Sequence, residues 1–125
     1  MTLIKLLYFH TFITLMAGLI LFVSPSTIPN VVDISIDKSQ YLLCYFLGSA
    51  EIAIAFLSFK AIKMTDKIAL KIVVQTIIIF HLLTAFAEGF AFVNGTSSLI
   101  IINIFVRLSV SALFYQYGLK PQTKK

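Results

Sequence analysis

One cysteine, three prolines, five glycines and five acidic residues among 125 leave most soluble chemistries without parts. A lone thiol closes no intramolecular disulfide and builds no cysteine metal cluster. Cys44 lies inside an apolar stretch and reads as a small packing residue. There is no glycine-rich phosphate loop, and no serine stands at a spacing from a histidine and an acid that would recommend a catalytic triad. The spacing of His81 and Glu88 lacks further metal ligands. Neither a catalytic constellation of the soluble type nor a metal site is expected.

What is present is apolar. The chain is 59% hydrophobic with a mean hydropathy of +0.99, more than a soluble core of this size can hide, so lipid must be the solvent for most of it. Four apolar stretches, near residues 6–24, 41–59, 68–92 and 98–118, are each close to the roughly 20 residues a helix needs to cross a hydrocarbon core about 30 Å thick. The first could be mistaken for a cleaved signal peptide. Its apolar run is longer than a typical signal core, and Val23-Ser24-Pro25 is a poor cleavage site, so it is read as a helix.

A formal charge of +5 would point to nucleic acid in a soluble protein, but here the basic residues sort by topology. Lys5 precedes the first stretch, Lys60, Lys63, Lys67 and Lys71 surround the second connection, and Lys120, Lys124 and Lys125 follow the fourth. The first connection sets Lys38 against Asp33 and Asp37, and the third carries no charge. The positive-inside rule then places both termini and the middle loop in the cytoplasm. Alternation of basic and non-basic connections fits an even number of spans. The expected fold is an all-α, integral membrane four-helix bundle, antiparallel up-down, as one domain over 1–125, in the bacterial cytoplasmic membrane.

Pro25 and Pro29 open an outer loop running to about Gln40, the longest piece expected to be non-helical, in which residues 32–37 alternate apolar and polar like an extended segment. Asn94-Gly95-Thr96 predicts a tight turn, because Asn-Gly tolerates positive φ. As a glycosylation sequon it lies too close to the membrane. The five tyrosines fall near span ends, where amphipathic rings favour the headgroup zone.

Ionisable groups in hydrocarbon cost about 2.5 to 3.5 kcal/mol on insertion scales, so those present should face the bundle interior and pair. The spans hold Glu51, Glu88 and Arg107, with His10 and His81 beside them. At helical spacing each span shows one stripe of small or polar residues: His10, Thr14, Ala17 and Gly18; Cys44, Gly48, Glu51, Ala55 and Ser58; His81, Thr84, Ala85 and Glu88; Asn103, Arg107, Ser111 and Tyr115. Counted inward from the outer ends, Thr14, Glu51, His81 and Arg107 lie roughly 15 Å deep, Glu88 and Asn103 nearer the outer surface and His10 nearer the cytoplasm. The expectation is a midplane cluster in which Arg107 pairs with Glu51 and Glu88, with His81 adjacent and Asn103 above it. These five are the candidate ligand- or proton-binding residues, in a cavity facing outward at Glu88, Asn103 and Arg107. Two carboxylates against one guanidinium also make a proton-binding element or a purely structural knot conceivable. A b-type haem between His10 and His81 is disfavoured, since they differ in depth by about one turn and only Gly18 and Gly48 could accommodate a ring.

The segment Tyr45-Phe46-Leu47-Gly48-Ser49-Ala50-Glu51, a basic loop, then Phe80-His81 and Glu88-Gly89, with Gly18 and Pro25 closing the first helix, resembles the DoxX-like family of small bacterial four-helix membrane proteins. The resemblance covers about two-thirds of the chain and leaves Arg107 outside it. It implies a four-helix bundle, a quinone-linked or redox-complex accessory role, and Glu51 as the position matching the family glutamate. The first expectation for function is therefore a non-catalytic accessory subunit of a larger membrane complex. The alternative is a binder of a quinone, lipid or other amphiphile in the polar cavity. A third reading is a proton-coupled small transporter working as a homodimer, although its first helix lacks the glutamate that small multidrug exporters carry there.

Overall fold

The computed structural model describes residues 1–120, so Lys124 and Lys125 lie outside the described residues. It is all-helical: α1 (Leu3–Val23), α2 (Thr27–Val31), α3 (Tyr41–Ala61), α4 (Lys67–Val93) and α5 (Ile100–Phe114), the last continuing into a π turn at Tyr115–Leu119. Four helical stretches are long and apolar enough to cross a membrane: Leu3–Val23, Lys38–Ala61, Lys67–Val93 and Ile100–Leu119.

Each boundary has a local cause. Thr2 caps α1 through its hydroxyl on the Lys5 N–H, and Asp66 caps α4 by accepting from the Ile68 and Ala69 N–H groups at 2.8 and 3.2 Å. The end of α4 is a Schellman motif. Gly95, at φ +93°, bonds back to the Phe92 carbonyl and Thr96 to the Ala91 carbonyl, while the Asn94 side chain caps Phe90. A glycine suits that conformation because it has no Cβ to clash. The connection from Pro25 to Gln40 is not wholly non-helical as expected. It forms α2, and Pro29 is tolerated there because the first-turn N–H groups of a helix have no intrahelical partner. Residues 32–37 do alternate in exposure, but they form no ladder.

α1 packs chiefly on α3, and α4 chiefly on α5, while contacts between the two pairs are sparser. The α1–α3 crossing is set by two glycines. A Cβ on Gly18 would stand 2.6 Å from Ile52 Cγ1 and 2.9 Å from the Gly48 carbonyl oxygen, and one on Gly48 would stand 3.0 Å from the Gly18 oxygen. The two pairs meet in an apolar cluster of Leu6, Leu7, Ala61, Val73, Val74, Ile77 and Phe114, which joins the start of α1, the end of α3, the start of α4 and the end of α5. Lys5, Lys60, Lys63, Lys67, Lys71 and Lys120 are exposed around these same helix ends. Around the rest of the molecule large apolar side chains point outward, Phe12, Phe46, Phe86 and Phe105 among them. In water such a surface would aggregate; in lipid it is solvated.

On α3 the buried residues are Cys44, Gly48, Glu51, Ala55 and Ser58, the small and weakly polar stripe, and beyond them Ala61. On α5 the stripe departs from expectation at its end, where Tyr115 is exposed and Phe114 is fully buried. The π turn opens beyond Phe114, and its ring fills the space beside His10, 5.1 Å between centroids.

Gly18→Ala should lower stability by about 1–3 kcal/mol through overpacking at the crossing. Gly89→Ala, whose Cβ would meet nothing within 4 Å, should be neutral or slightly stabilising. Reversible unfolding of both variants in mixed micelles measures the difference. Equal effects would remove the close α1–α3 approach as a constraint.

Candidate functional site

The single arginine on α5 organises the site. Arg107 Nε donates to Glu88 Oε1 of α4 at 2.9 Å, and Nη2 donates to Glu51 Oε1 of α3 at 3.3 Å. Asn103, one turn earlier on α5, gives Nδ2 to the same Glu88 oxygen at 2.6 Å. Glu88 Oε1 thus receives two short bonds, one of them from a cation, whereas Glu51 holds one long contact. Glu51 is nonetheless the more buried acid, at 5% exposure. Its Oε2 and Arg107 Nη1 have no hydrogen-bond partner among the described residues, and Glu88 Oε2 is buried without one.

His81 does not join this network by a hydrogen bond. It bonds His10 instead, Nε2 to Nε2 at 2.8 Å, and His10 Nδ1 lies 2.8 Å from Ser58 Oγ. The protons on this chain can be assigned by elimination. Ser58 must donate to the Ile54 carbonyl, 2.9 Å away, because a carbonyl only accepts. His10 Nδ1 then carries the hydrogen that Ser58 receives. With both rings neutral, His10 Nε2 is a lone pair and His81 Nε2 is the donor, which leaves His81 Nδ1 a bare acceptor. That atom is buried with no partner.

The expected difference in depth between the two histidines is corrected by this contact. Depth was counted from helix ends, and observed ends at Val23 and Val93 leave His10 thirteen residues from the end of α1 and His81 twelve from the end of α4. A shift of one residue at each boundary, in opposite directions, removes two residues, about 3 Å, of the apparent difference. The chain-level signal was available in the stripes, where both histidines occupy the buried face. The contact also bears on haem. Two nitrogens 2.8 Å apart leave no room for a metal between them, since metal–imidazole bonds are about 2.0–2.1 Å each. Gly18 and Gly48, the two residues that could have accommodated a ring, are filled by each other. Among the described residues no group of three or more histidine, cysteine, aspartate or glutamate side chains could hold a metal ion.

A cavity of about 350 Å³ opens between α1 and α5, which barely touch. Thr14, Glu51, His10, His81, Asn103 and Arg107 form its polar wall. Phe9, Ile13, Val106, Val110 and Leu113 form its apolar walls, with Met1 and Leu6 toward the N-terminal end of α1. Of the five sequence-predicted residues, four line it and Glu88 does not, so the cavity does not face outward at Glu88 as expected. It runs along α1 toward that helix's N-terminal end because Glu88 is turned onto Arg107 and Asn103 from the far side. Phe9, Ile13 and Val106 are exposed at its edge, so the opening is lateral. A second groove on the α1–α3 face, of about 500 Å³, is lined by Tyr8, Thr11, Phe12, Ile52, Phe56 and others and holds no acid, arginine or histidine.

Comparison with known proteins gives no match to a family model, a curated protein or a solved structure.

Arg107→Ala should lower stability by about 3–5 kcal/mol, because it strands the buried Glu51 and Glu88 carboxylates. Adding Glu88→Gln should recover part of that loss. A double-mutant cycle by reversible unfolding measures the coupling; additive losses would mean that the ion pair contributes no interaction energy.

Proposed function

We propose that the chain is a multi-pass protein of the bacterial cytoplasmic membrane. In this reading α1, α3, α4 and α5 form a single antiparallel up-down bundle with both termini cytoplasmic, and the α1–α5 cavity holds the polar head of a membrane amphiphile. The topology is supported by the lysines at the helix ends that meet around Phe114 and by the uncharged turn at Asn94–Ser97. The functional reading rests on one observation: the Glu51–Arg107 ion pair and His81, whose buried Nδ1 has no partner, line a cavity whose mouth is apolar and opens sideways, between α1 and α5. A soluble metabolite would have to cross lipid to reach such a mouth. An amphiphile already in the membrane enters it head first, leaving its tail among lipid chains.

A quinone is one amphiphile that meets this description. Its carbonyl would take a hydrogen bond from the Thr14 hydroxyl or Arg107 Nη1, and Phe9, Ile13 and Val106 would flank its tail. The DoxX-like resemblance, which includes Glu51, belongs to the same proposal. A chain that holds a quinone without a catalytic constellation of its own would serve a larger redox complex as an accessory subunit.

Purification in mild detergent, followed by extraction and mass spectrometry, tests the site. The wild type should retain an amphiphile, and Val106→Trp, which fills the mouth from an exposed position, should lose at least tenfold of it while keeping its helicity. A wild type that carries nothing, or a variant that carries as much, would defeat the reading. For topology, single cysteines at Lys63 and Thr96 in a Cys44→Ser background should label with an impermeant thiol reagent from the cytoplasmic and outer sides respectively. The reverse pattern would invert the bundle.

A further inference from the structure

The amphiphile reading leaves the head group open, and the distribution of charge around the cavity narrows it. Arg107 is the only cation of the network, and its short bond goes to Glu88, whose Oε1 is further tied by Asn103. Glu88 does not line the cavity, so the guanidinium charge is matched on the side away from it. Glu51 is left as the surplus acid. It keeps one 3.3 Å contact to Arg107, its Oε2 has no partner among the described residues, and it stands on the cavity wall with its side chain 7% exposed. With both acids ionised, the three charged groups sum to minus one, and the excess lies at Glu51.

A second observation, independent of the count, points the same way. The hydrogen bonds from Ile54 through Ser58 and His10 to His81 leave His81 Nδ1 as a lone pair without a donor, and His81 lines this cavity too. Two nine-tenths-buried side chains on one wall, Glu51 and His81, therefore each hold an acceptor with no partner among the described residues, and in His81 that atom is itself buried. Buried acceptors without donors are costly, and a buried carboxylate that shares its one counter-charge with a second acid is only partly neutralised. An anionic head would add repulsion at Glu51. A neutral head with one hydroxyl satisfies one acceptor and leaves the charge. A protonated amine brings one positive charge and several N–H donors.

We propose that the cavity between α1 and α5 is a site for an amphiphilic ammonium compound, its cationic head held by Glu51 and its apolar tail leaving between Phe9 and Val106. This inference rests on the amphiphile reading and specifies its ligand. Thr14, whose hydroxyl is on the same wall, supplies a further acceptor for the head.

The test is native mass spectrometry of the purified chain from a neutral detergent, with dodecylammonium chloride and dodecanol as probes at equal concentration. The wild type should form a one-to-one adduct with dodecylammonium at least tenfold more populated than with dodecanol. Glu51→Gln, which keeps an acceptor for Arg107, should reduce that preference to near unity without loss of helicity, and Val106→Trp should remove both adducts. Equal binding of the two probes by the wild type would overturn the ammonium assignment while leaving the amphiphile site in place, and it decides the matter even if Glu51→Gln fails to fold. A preference that survives in a folded Glu51→Gln would overturn the role of Glu51. Binding of neither probe, or binding indifferent to Val106→Trp, would remove the site itself.

Discussion

A guanidinium sits midway along α5, in a part of the chain with no other cation near it. In lipid such a charge must be matched, and the rest of the polar architecture follows from that constraint. Glu88 and Asn103 are drawn onto one side of it and Glu51 onto the other, so α3, α4 and α5 are held at one level. The order of these contacts carries the asymmetry: two short bonds converge on Glu88 Oε1, while Glu51 is left with a long one.

The helices are paired as α1 with α3 and α4 with α5, and the two pairs are joined by few backbone approaches. What spans the gap is the apolar cluster around Phe114 at one end and, above it, two polar ties, His10 to His81 and Glu51 to Arg107. In membranes apolar burial gives little preference for one helix neighbour over another, because lipid chains are as apolar as leucine. Close glycine packing within the α1–α3 pair and hydrogen bonds between the pairs therefore decide the arrangement. The cavity is a consequence: α1 is pulled toward α3 by Gly18 and Gly48 and toward α4 by His10, which leaves α1 and α5 apart with the polar ties exposed on the wall between them.

Much of this was legible in the residue order. Length and apolarity of four stretches, together with Asn94-Gly95 as a turn, locate the helices to within a few residues, because these signals are local. The small and polar stripes identified the buried face of α3 residue for residue, since a 3.6-residue period and the cost of polar groups in lipid act on each helix separately. Pairing of Arg107 with both acids followed from the same cost, as there was no other cation to satisfy them. Less legible were Tyr115 against Phe114, where the choice lay between adjacent positions at the end of a face, and the contact of His10 with His81, where opposite one-residue offsets at approximate helix ends add about 3 Å of apparent depth difference.

The sequence by itself determined that this chain is helical, that four helical stretches can cross a membrane, and that the few ionisable residues in the interior of those stretches must look inward. Each of these is fixed by the free energy of single residues in lipid, summed over a helix. Only the tertiary structure decided that Arg107 spends its short bond on Glu88 and leaves Glu51 facing a cavity, that two histidines share one proton between them, and that the opening lies between α1 and α5. These outcomes depend on which pairs of helices approach closely, and that is settled by the packing of Gly18 against Gly48 and of Phe114 beside His10, contacts between residues far apart in the chain.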